Sequence, residues 1–572
     1  MMIRSVFPKA LGIWAVVTLG GAVQAQTLEP LITGYRADDA DLSAVLGGLV
    51  SARSLERQQG LAADWLKRLD GLGYDSLSAS DRIDWQLLHR RLISEQQQSE
   101  LQRTRLKEME PMLGFLGPVQ ELVSDRSARV GLDPEKASGM LAEAAEQLKE
   151  LRKKLDQGHF NSGNLKPTPV LAVRIAATLD ALRGRLDRWF QFYDGFQPEF
   201  GWWARQPKGA LSKELESTAG FFRKEIAGLK GEPDDPLIGD PVGPDALSDM
   251  LAGEMVAYSP AELLAVAEKE FAWCEAEMKK AAAAMDCKDG KEALEKIKTA
   301  HVPPGGQAAL AQQEAEKSIR FLKDKQLVTI PPLAEECWGV SMLGTDTQKS
   351  LPYAAYSRPN IAVAYAHESM SHEDKLMAMR GNNASFLHIV TPHELIPGHH
   401  LQGFMARRYA TERQMFSTPF LVEGWALHWE MLLWDLGYVA TPQEKVGALF
   451  WRMHRCARVI VSLKFHLGEM TPDEMVDFLV DRVGHERAGA TAEVRRYIGD
   501  DYGPLYQAAY MTGGLQLRAL YKELVTGGKM TPRDFHDRIL HEGAVPIEMI
   551  RAALEGEKLP KAWKPAWRFA ES

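Results

Sequence analysis

Apolar residues recur along most of the chain at the three- and four-residue spacing of a buried helix face. Leu141, Leu148, Leu151 and Leu155 form one such stripe, and Ile83, Leu87, Leu88 and Leu92 another; a 3.6-residue period gathers each set on one side of a helix. Strand-like runs are scarce. The exceptions are Ile361-Ala362-Val363-Ala364-Tyr365 and Phe386-Leu387-His388-Ile389-Val390, each short enough for a small sheet beside the helices. A helix-start pattern recurs at Ser259-Pro260-Ala261-Glu262, Thr441-Pro442-Gln443-Glu444, Thr471-Pro472-Asp473-Glu474 and Thr531-Pro532-Arg533-Asp534. In each, a hydroxyl can cap the first turn, proline suits the first helical position, and the acid three residues on completes a capping box. The pattern predicts a mainly α, multi-helix fold with a small β-sheet.

Proline, glycine and aspartate concentrate from Gly231-Glu232-Pro233-Asp234-Asp235-Pro236 through Gly243-Pro244. This punctuation divides an N-terminal helical region, 26–230, from a second one, 245–572. The same stretch also suits a long surface loop within one continuous helical body, because punctuation does not show whether contacts cross it. No repeat of solenoid period is present.

The first residues change the picture. Met1-Met2-Ile3-Arg4, an apolar stretch from Leu11 to Leu19 and a small-residue end at Val23-Gln24-Ala25 read as a signal peptide over 1–25, cleaved between Ala25 and Gln26. The expected location is periplasmic or secreted. No later segment approaches the roughly 18 consecutive apolar residues of a membrane span, so no span is expected once the leader is removed. The formal charge is −9, and losing Arg4 and Lys9 with the leader makes it more negative. That balance argues against nucleic acid and anionic membrane surfaces as partners. Cys274, Cys287, Cys337 and Cys456 lie far apart, which indicates neither a thiolate zinc site nor a disulfide scaffold.

Candidate chemistry centres on Thr391-Pro392-His393-Glu394-Leu395-Ile396-Pro397-Gly398-His399-His400. In the zinc-hydrolase pattern H-E-x-x-H, two histidines one turn apart hold the metal and the glutamate activates its water. Here the position four residues after His393 is Pro397. In a straight helix, at about 100° and 1.5 Å per residue, His399 would point away from His393 and His400 would lie roughly 10 Å along the axis. Pro397 and Gly398 are the residues able to break that straightness. The same segment also fits a capping box, in which Glu394 would only close a helix start at Thr391.

Downstream, Thr418-Pro419 opens a helix bearing Glu423-Gly424-Trp425-Ala426-Leu427-His428-Trp429-Glu430. Glu423 suits a third metal ligand 24 residues beyond His399. Glu430, two turns later on the same face, suits either a carboxylate that orients a ligand histidine or a solvated surface charge. The apolar neighbours Leu421, Trp425, Trp429 and Leu432 predict a buried helix, where a carboxylate needs a metal or a partner.

At these residues the chain resembles the bacterial family of domains of unknown function numbered 885, whose pattern is H-E-x-x-P-G-H followed by E-G-W-A. The correspondence continues through Arg458-Val459-Ile460-Val461 with His466, Glu493-Val494-Arg495-Arg496-Tyr497, and Pro504 to Gly513. The resemblance implies an all-helical, metallopeptidase-like fold with its small sheet near the active-site helix. It also implies one zinc per chain held by His393, His399 and Glu423, with Glu394 as general base, and it favours His399 over His400. Arg496 and Tyr510 fall in the C-terminal part of the pattern, Arg496 to hold a substrate carboxylate or an ion-pair partner, Tyr510 to stabilise an oxyanion or to pack in the core beside Tyr506. The chain departs from the family at His428, Ser462 and Leu505-Tyr506, which bears on substrate choice more than on metal binding.

The expected function is therefore an exported zinc hydrolase that cleaves short or unfolded peptides. Zinc would acidify a bound water towards a pKa of about 7, and Glu394 would move its proton to the leaving amine. The alternatives are a zinc hydrolase of a non-peptide amide or cell-wall fragment, and a non-catalytic ligand-binding protein of the same fold.

Overall fold

Caps set where the helices begin. Ser259, Thr441, Thr471 and Thr531 each accept a hydrogen bond from the backbone N–H three residues on. At the first three, the glutamate side chain returns the bond to the cap residue, as the sequence pattern requires. The computed structural model describes residues 27–570 apart from 47, 49, 125–130, 157–166, 233, 349–350 and 500–501. The leader expected over 1–25 lies outside the described residues.

The chain opens with α1 (Glu29–Leu46), α2 (Ala52–Asp70), the 35-residue α3 (Ala79–Leu113) and α4 (Gly117–Ser124). Next come α5 (Pro134–Asp156), α6 (Pro169–Tyr193) and α7 (Pro198–Phe221). After the Gly231–Pro244 stretch run α8 (Pro244–Gly253), α9 (Pro260–Ala283), α10 (Gly290–Thr299), α11 (Gln307–Lys325) and α12 (Pro332–Glu336). The small sheet follows: β1 (Gly339–Met342), then α13 (Thr345–Gln348), β2 (Ala355–Ser357) and β3 (Asn360–Val363). Its strand order is β1-β3-β2, β3 lying parallel to β1 and antiparallel to β2. The last third is helical again: α14 (His372–Gly381), α15 (Ala384–Glu394), α16 (His399–Ala406), α17 (Pro419–Asp435) and α18 (Pro442–His466). It closes with α19 (Pro472–Phe478), α20 (Arg487–Ile498), α21 (Tyr506–Tyr521), α22 (Pro532–Glu542) and α23 (Ile547–Glu555). The fold is mainly α with a small sheet.

One strand expectation is corrected. Phe386–Val390 is the middle of α15, capped by Asn383, whereas Ile361–Val363 does belong to β3. In α15 every residue from Phe386 to Glu394 is buried. A helix covered on all sides shows no polar face, and a run of five residues is too short to separate a period of two from one of 3.6.

The buried apolar residues gather in three clusters. One joins α8–α11 to α15 and α18–α20; a second joins α1, α2 and the first half of α3 to α16, α22 and α23. The third is built by the end of α3 with α4–α7. α17 serves both of the first two, since Phe420, Leu427 and Met431 enter one and Leu421, Trp425, Trp429 and Leu432 the other. A helix apolar on every side belongs between layers, and that is where Glu423 is carried.

Candidate metal centre

The turn between α15 and α16 does the first part of the assembly. α15 makes its last helical bond from Leu395 N–H to the Thr391 carbonyl, 2.9 Å, and the Gly398 N–H then reaches back to the Pro392 carbonyl, also 2.9 Å. This wide turn presses Gly398 onto the preceding helix end: a Cβ there would sit 1.7 Å from the His393 carbonyl oxygen, so only glycine fits. Ser318 Oγ donates to the Ile396 carbonyl and Trp425 Nε1 to that of Pro397, each at 2.8 Å. With the turn pinned from α11 and α17, His399 starts a new helix facing His393, their ring centroids 4.9 Å apart.

The second part comes from α17 and α21, which pack together at Gly424 and Gly513. A Cβ on Gly513 would meet the Phe420 carbonyl at 1.8 Å, and one on Gly424 would meet the Gly513 backbone at 2.6 Å. The closeness holds Glu423 beside the histidines and Tyr506 and Tyr510 beside Glu423. Glu423 Oε2 lies 3.2 Å from His399 Nε2 and 3.9 Å from His393 Nε2, while Oε1 accepts a hydrogen bond from the Tyr506 hydroxyl. One ligand atom each from His393, His399 and Glu423 falls within 4.8 Å of the others. Glu394 Oε1 stands 4.0 Å from His393 Nε2.

Burial makes this cluster demanding. Glu423 Oε2 is buried with no donor in hydrogen-bond alignment, although His399 Nε2 is close. Without a cation the site balances itself by protonation. Burial disfavours the charged His399, but the Glu423 carboxylate, then Glu394, outweighs it and pushes the imidazole up to about 9. Burial likewise acts to raise Glu423, and His399, His393 and Tyr506 together hold it at about 2. A buried carboxylate oxygen without an aligned donor, between two imidazole nitrogens, is a donor set that a divalent cation satisfies. Two nitrogens and one oxygen suit zinc.

A second layer orients the first. His393 Nδ1 lies 2.6 Å from Glu430 Oε1, so the ring donates its Nδ1 hydrogen there and leaves Nε2 bare towards Glu423. Arg455 donates to the same oxygen at 3.3 Å. The surface-charge reading of Glu430 is thus set aside, since the residue is buried. The capping reading of Thr391–Glu394 is also overturned, because Thr391 lies within α15 and its hydroxyl has no hydrogen-bond partner. Of the two neighbouring histidines, His399 faces His393 and Glu423, whereas His400 Nε2 turns away to the Ala334 carbonyl, 2.8 Å.

Tyr510 stacks on His393, ring centroids 6.5 Å apart and planes 11° off parallel. Arg455 and Arg458 lie over the Tyr510 ring. Arg496 is in an ion pair, its Nη2 donating to both Glu493 oxygens at 2.8 Å. Glu493 also accepts from Arg458 and Tyr497. Sequence reasoning missed the bond of Tyr506 to Glu423 and that of Arg455 to Glu430. No spacing signal could have found them, because each crosses from one helix to another, where no fixed period relates the partners.

Over residues 34–554 the chain matches a family described as bacterial protein of unknown function, DUF885. It belongs to that family. Among curated proteins none matches it. Two solved structures share the fold of this DUF885 chain, each described as a putative lipoprotein, the first also as of unknown function. The one from Shewanella oneidensis is 18% identical, covers 93% of this chain and 100% of its own, and has a TM-score of 0.67. The one from Colwellia psychrerythraea is 16% identical, covers 92% and 98%, and has a TM-score of 0.56. At such identity the likeness speaks for the DUF885 fold alone. Among the described residues no helix is long and apolar enough to cross a membrane.

Proposed function

We propose that this chain is an exported, zinc-dependent hydrolase of peptide bonds, with His393, His399 and Glu423 as the metal ligands. The observation that carries the reading is the buried, donorless Oε2 of Glu423 between two imidazoles, with a further carboxylate, Glu394, beside them. Export, most simply to the periplasm, is supported by the leader pattern and by the lipoprotein descriptions of the two solved relatives.

Zinc bound there supplies Lewis acidity, which makes water a nucleophile near neutral pH and polarises a carbonyl. The chain's own groups do the rest. Glu430 keeps His393 in the tautomer with Nε2 free. Glu394, buried beside His393, receives a proton from water on its carboxylate and returns it to the leaving nitrogen. Burial raises the Tyr510 phenol well above its ordinary value, so it stays protonated and able to donate to a developing oxyanion. Arg496, already committed to Glu493, holds a substrate carboxylate only by sharing that partner.

The test is metal content of the purified protein beside Glu423→Ala. About one zinc per chain, absent in the variant, supports the site, and peptide cleavage lost in Glu394→Gln supports the activity. A parent chain that takes up no zinc when supplied with it ends the reading.

A further inference from the structure

One face of α3 lines open space that reaches Tyr506, one residue removed from the candidate ligands. Leu87, Arg91, Ser94, Gln98, Leu101 and Arg105 follow one another at three- and four-residue steps and line two cavities of about 410 and 600 Å³. Arg91, Gln98, Leu101, Met250 and Pro504 belong to both walls, so the two form one trench. Its inner end is Tyr506, whose hydroxyl is on Glu423. From Leu87 to Arg105 the helix rises about 27 Å at 1.5 Å per residue, the length of about eight residues of extended chain.

The lining differs along its length. Beside Tyr506 it is apolar and adaptable, with Met250, Met255, Met415 and Phe416; unbranched thioethers reshape around varied apolar groups. The amide of Gln98 stands where the two cavities meet and that of Gln102 lines the outer one; neither makes a hydrogen bond among the described residues. Two of the trench arginines are paired, Arg91 with Glu95 and Arg105 with Asp240, and Asp249 and Glu254 share the wall with Arg90. A row of cations for a polyanion is therefore lacking, whereas free amides suit the alternating donors and acceptors of a peptide backbone.

We infer that this trench is the extended substrate site, taking about eight residues of unfolded peptide along α3 and seating an apolar side chain beside Tyr506. The inference rests on the peptidase reading and adds to it the length and side-chain preference of the substrate.

The test compares cleavage of nested peptides, from about three to about twelve residues, by zinc-loaded parent and by Gln98→Tyr. Gln98 is exposed, so the bulky ring fills the trench without disturbing the core. The expected result is a parental kcat/KM that rises about tenfold or more with length and levels near eight residues, remote contacts being used at the reacting centre. Gln98→Tyr loses that gain, its kcat/KM on long peptides falling towards the parental value on the shortest. Length-independent parental rates, or equal loss at every length, overturn the inference. If neither protein cleaves any peptide, the peptidase reading fails, and the trench is read by binding: a labelled peptide of about twelve residues held by Glu394→Gln, and at least about tenfold more weakly once Gln98→Tyr is added, sustains it. No binding, equal binding, or capture of a neutral glycan in the peptide's place overturns it.

Discussion

At the scale of single residues, the centre depends on which proton sits on which nitrogen. Glu430 fixes that for His393 across 2.6 Å, and its exchange for glutamine keeps the volume while removing the charge that favours the Nδ1–H tautomer. Glu430→Gln is expected to lower zinc affinity about 10- to 100-fold, measured by competition with a chromophoric chelator. Unchanged affinity would show that the bond is structural only. A different residue sets a pH dependence outside the metal cluster. Burial raises Glu254 to about 7, against a helping bond from Thr418. Between the ordinary glutamate range near 4.5 and about 7, the folded chain keeps a proton that the unfolded chain has released. Unfolding therefore becomes easier as pH rises through that window. Glu254→Gln, which carries no charge to desolvate, is expected to match the parent at pH 5 and to exceed it at pH 8 by on the order of 1 kcal/mol. Urea denaturation at the two pH values checks this, and a gain of equal size at both would remove the ionisation as its cause.

At the scale of elements, the centre is made by two close approaches, the Gly398 turn and the α17–α21 crossing. The Gly513 Cβ position, 1.8 Å from the Phe420 carbonyl, makes the crossing testable. Gly513→Ala must separate the helices, at a cost of about 2–4 kcal/mol by denaturant unfolding. It should also weaken zinc binding, because Tyr506 moves away from Glu423; full zinc affinity in a destabilised variant would separate packing from the site. These approaches also mark what the sequence could show. Helix starts were legible because a cap, a proline and an acid are local, and the candidate site was legible because His393, Glu394, His399 and Glu423 resemble a family pattern. The α15 helix was misread as a strand because complete burial erases the polar face by which periodicity is recognised. The partners Tyr506 and Arg455 were illegible for another reason: their bonds join residues 83 and 25 positions apart, and only the packing of α17 against α21, and of both α17 and α18 against α15 and α21, makes them neighbours.

At the scale of the whole molecule, α3 is the common member of two bodies. Its Leu92 is buried with the elements around the centre, and its Met109 with α4–α7. Residues of the α4–α7 body bury one another and share no buried apolar residue with the other two clusters. The junction also includes ion pairs of Asp240 with Arg105 of α3 at 2.9 Å and with Arg174 of α6 at 2.8 Å. Pairs of this kind, partly exposed, contribute about 0–1 kcal/mol each, too little to make two hydrophobic cores unfold as one. On the proposed reading, a cation at the centre would tie α15, α16 and α17, all within the other two clusters, and would stabilise only the state that holds its ligands together. With free zinc at about 1,000 times its dissociation constant, that stabilisation is about 4 kcal/mol. Scanning calorimetry is therefore expected to show two transitions, of which chelation lowers one and leaves the other, assigned to 109–227, in place. A single transition that moves as a whole on chelation would mean that α3 transmits the centre's stability through its full length, and that the α4–α7 body does not fold as a separate unit.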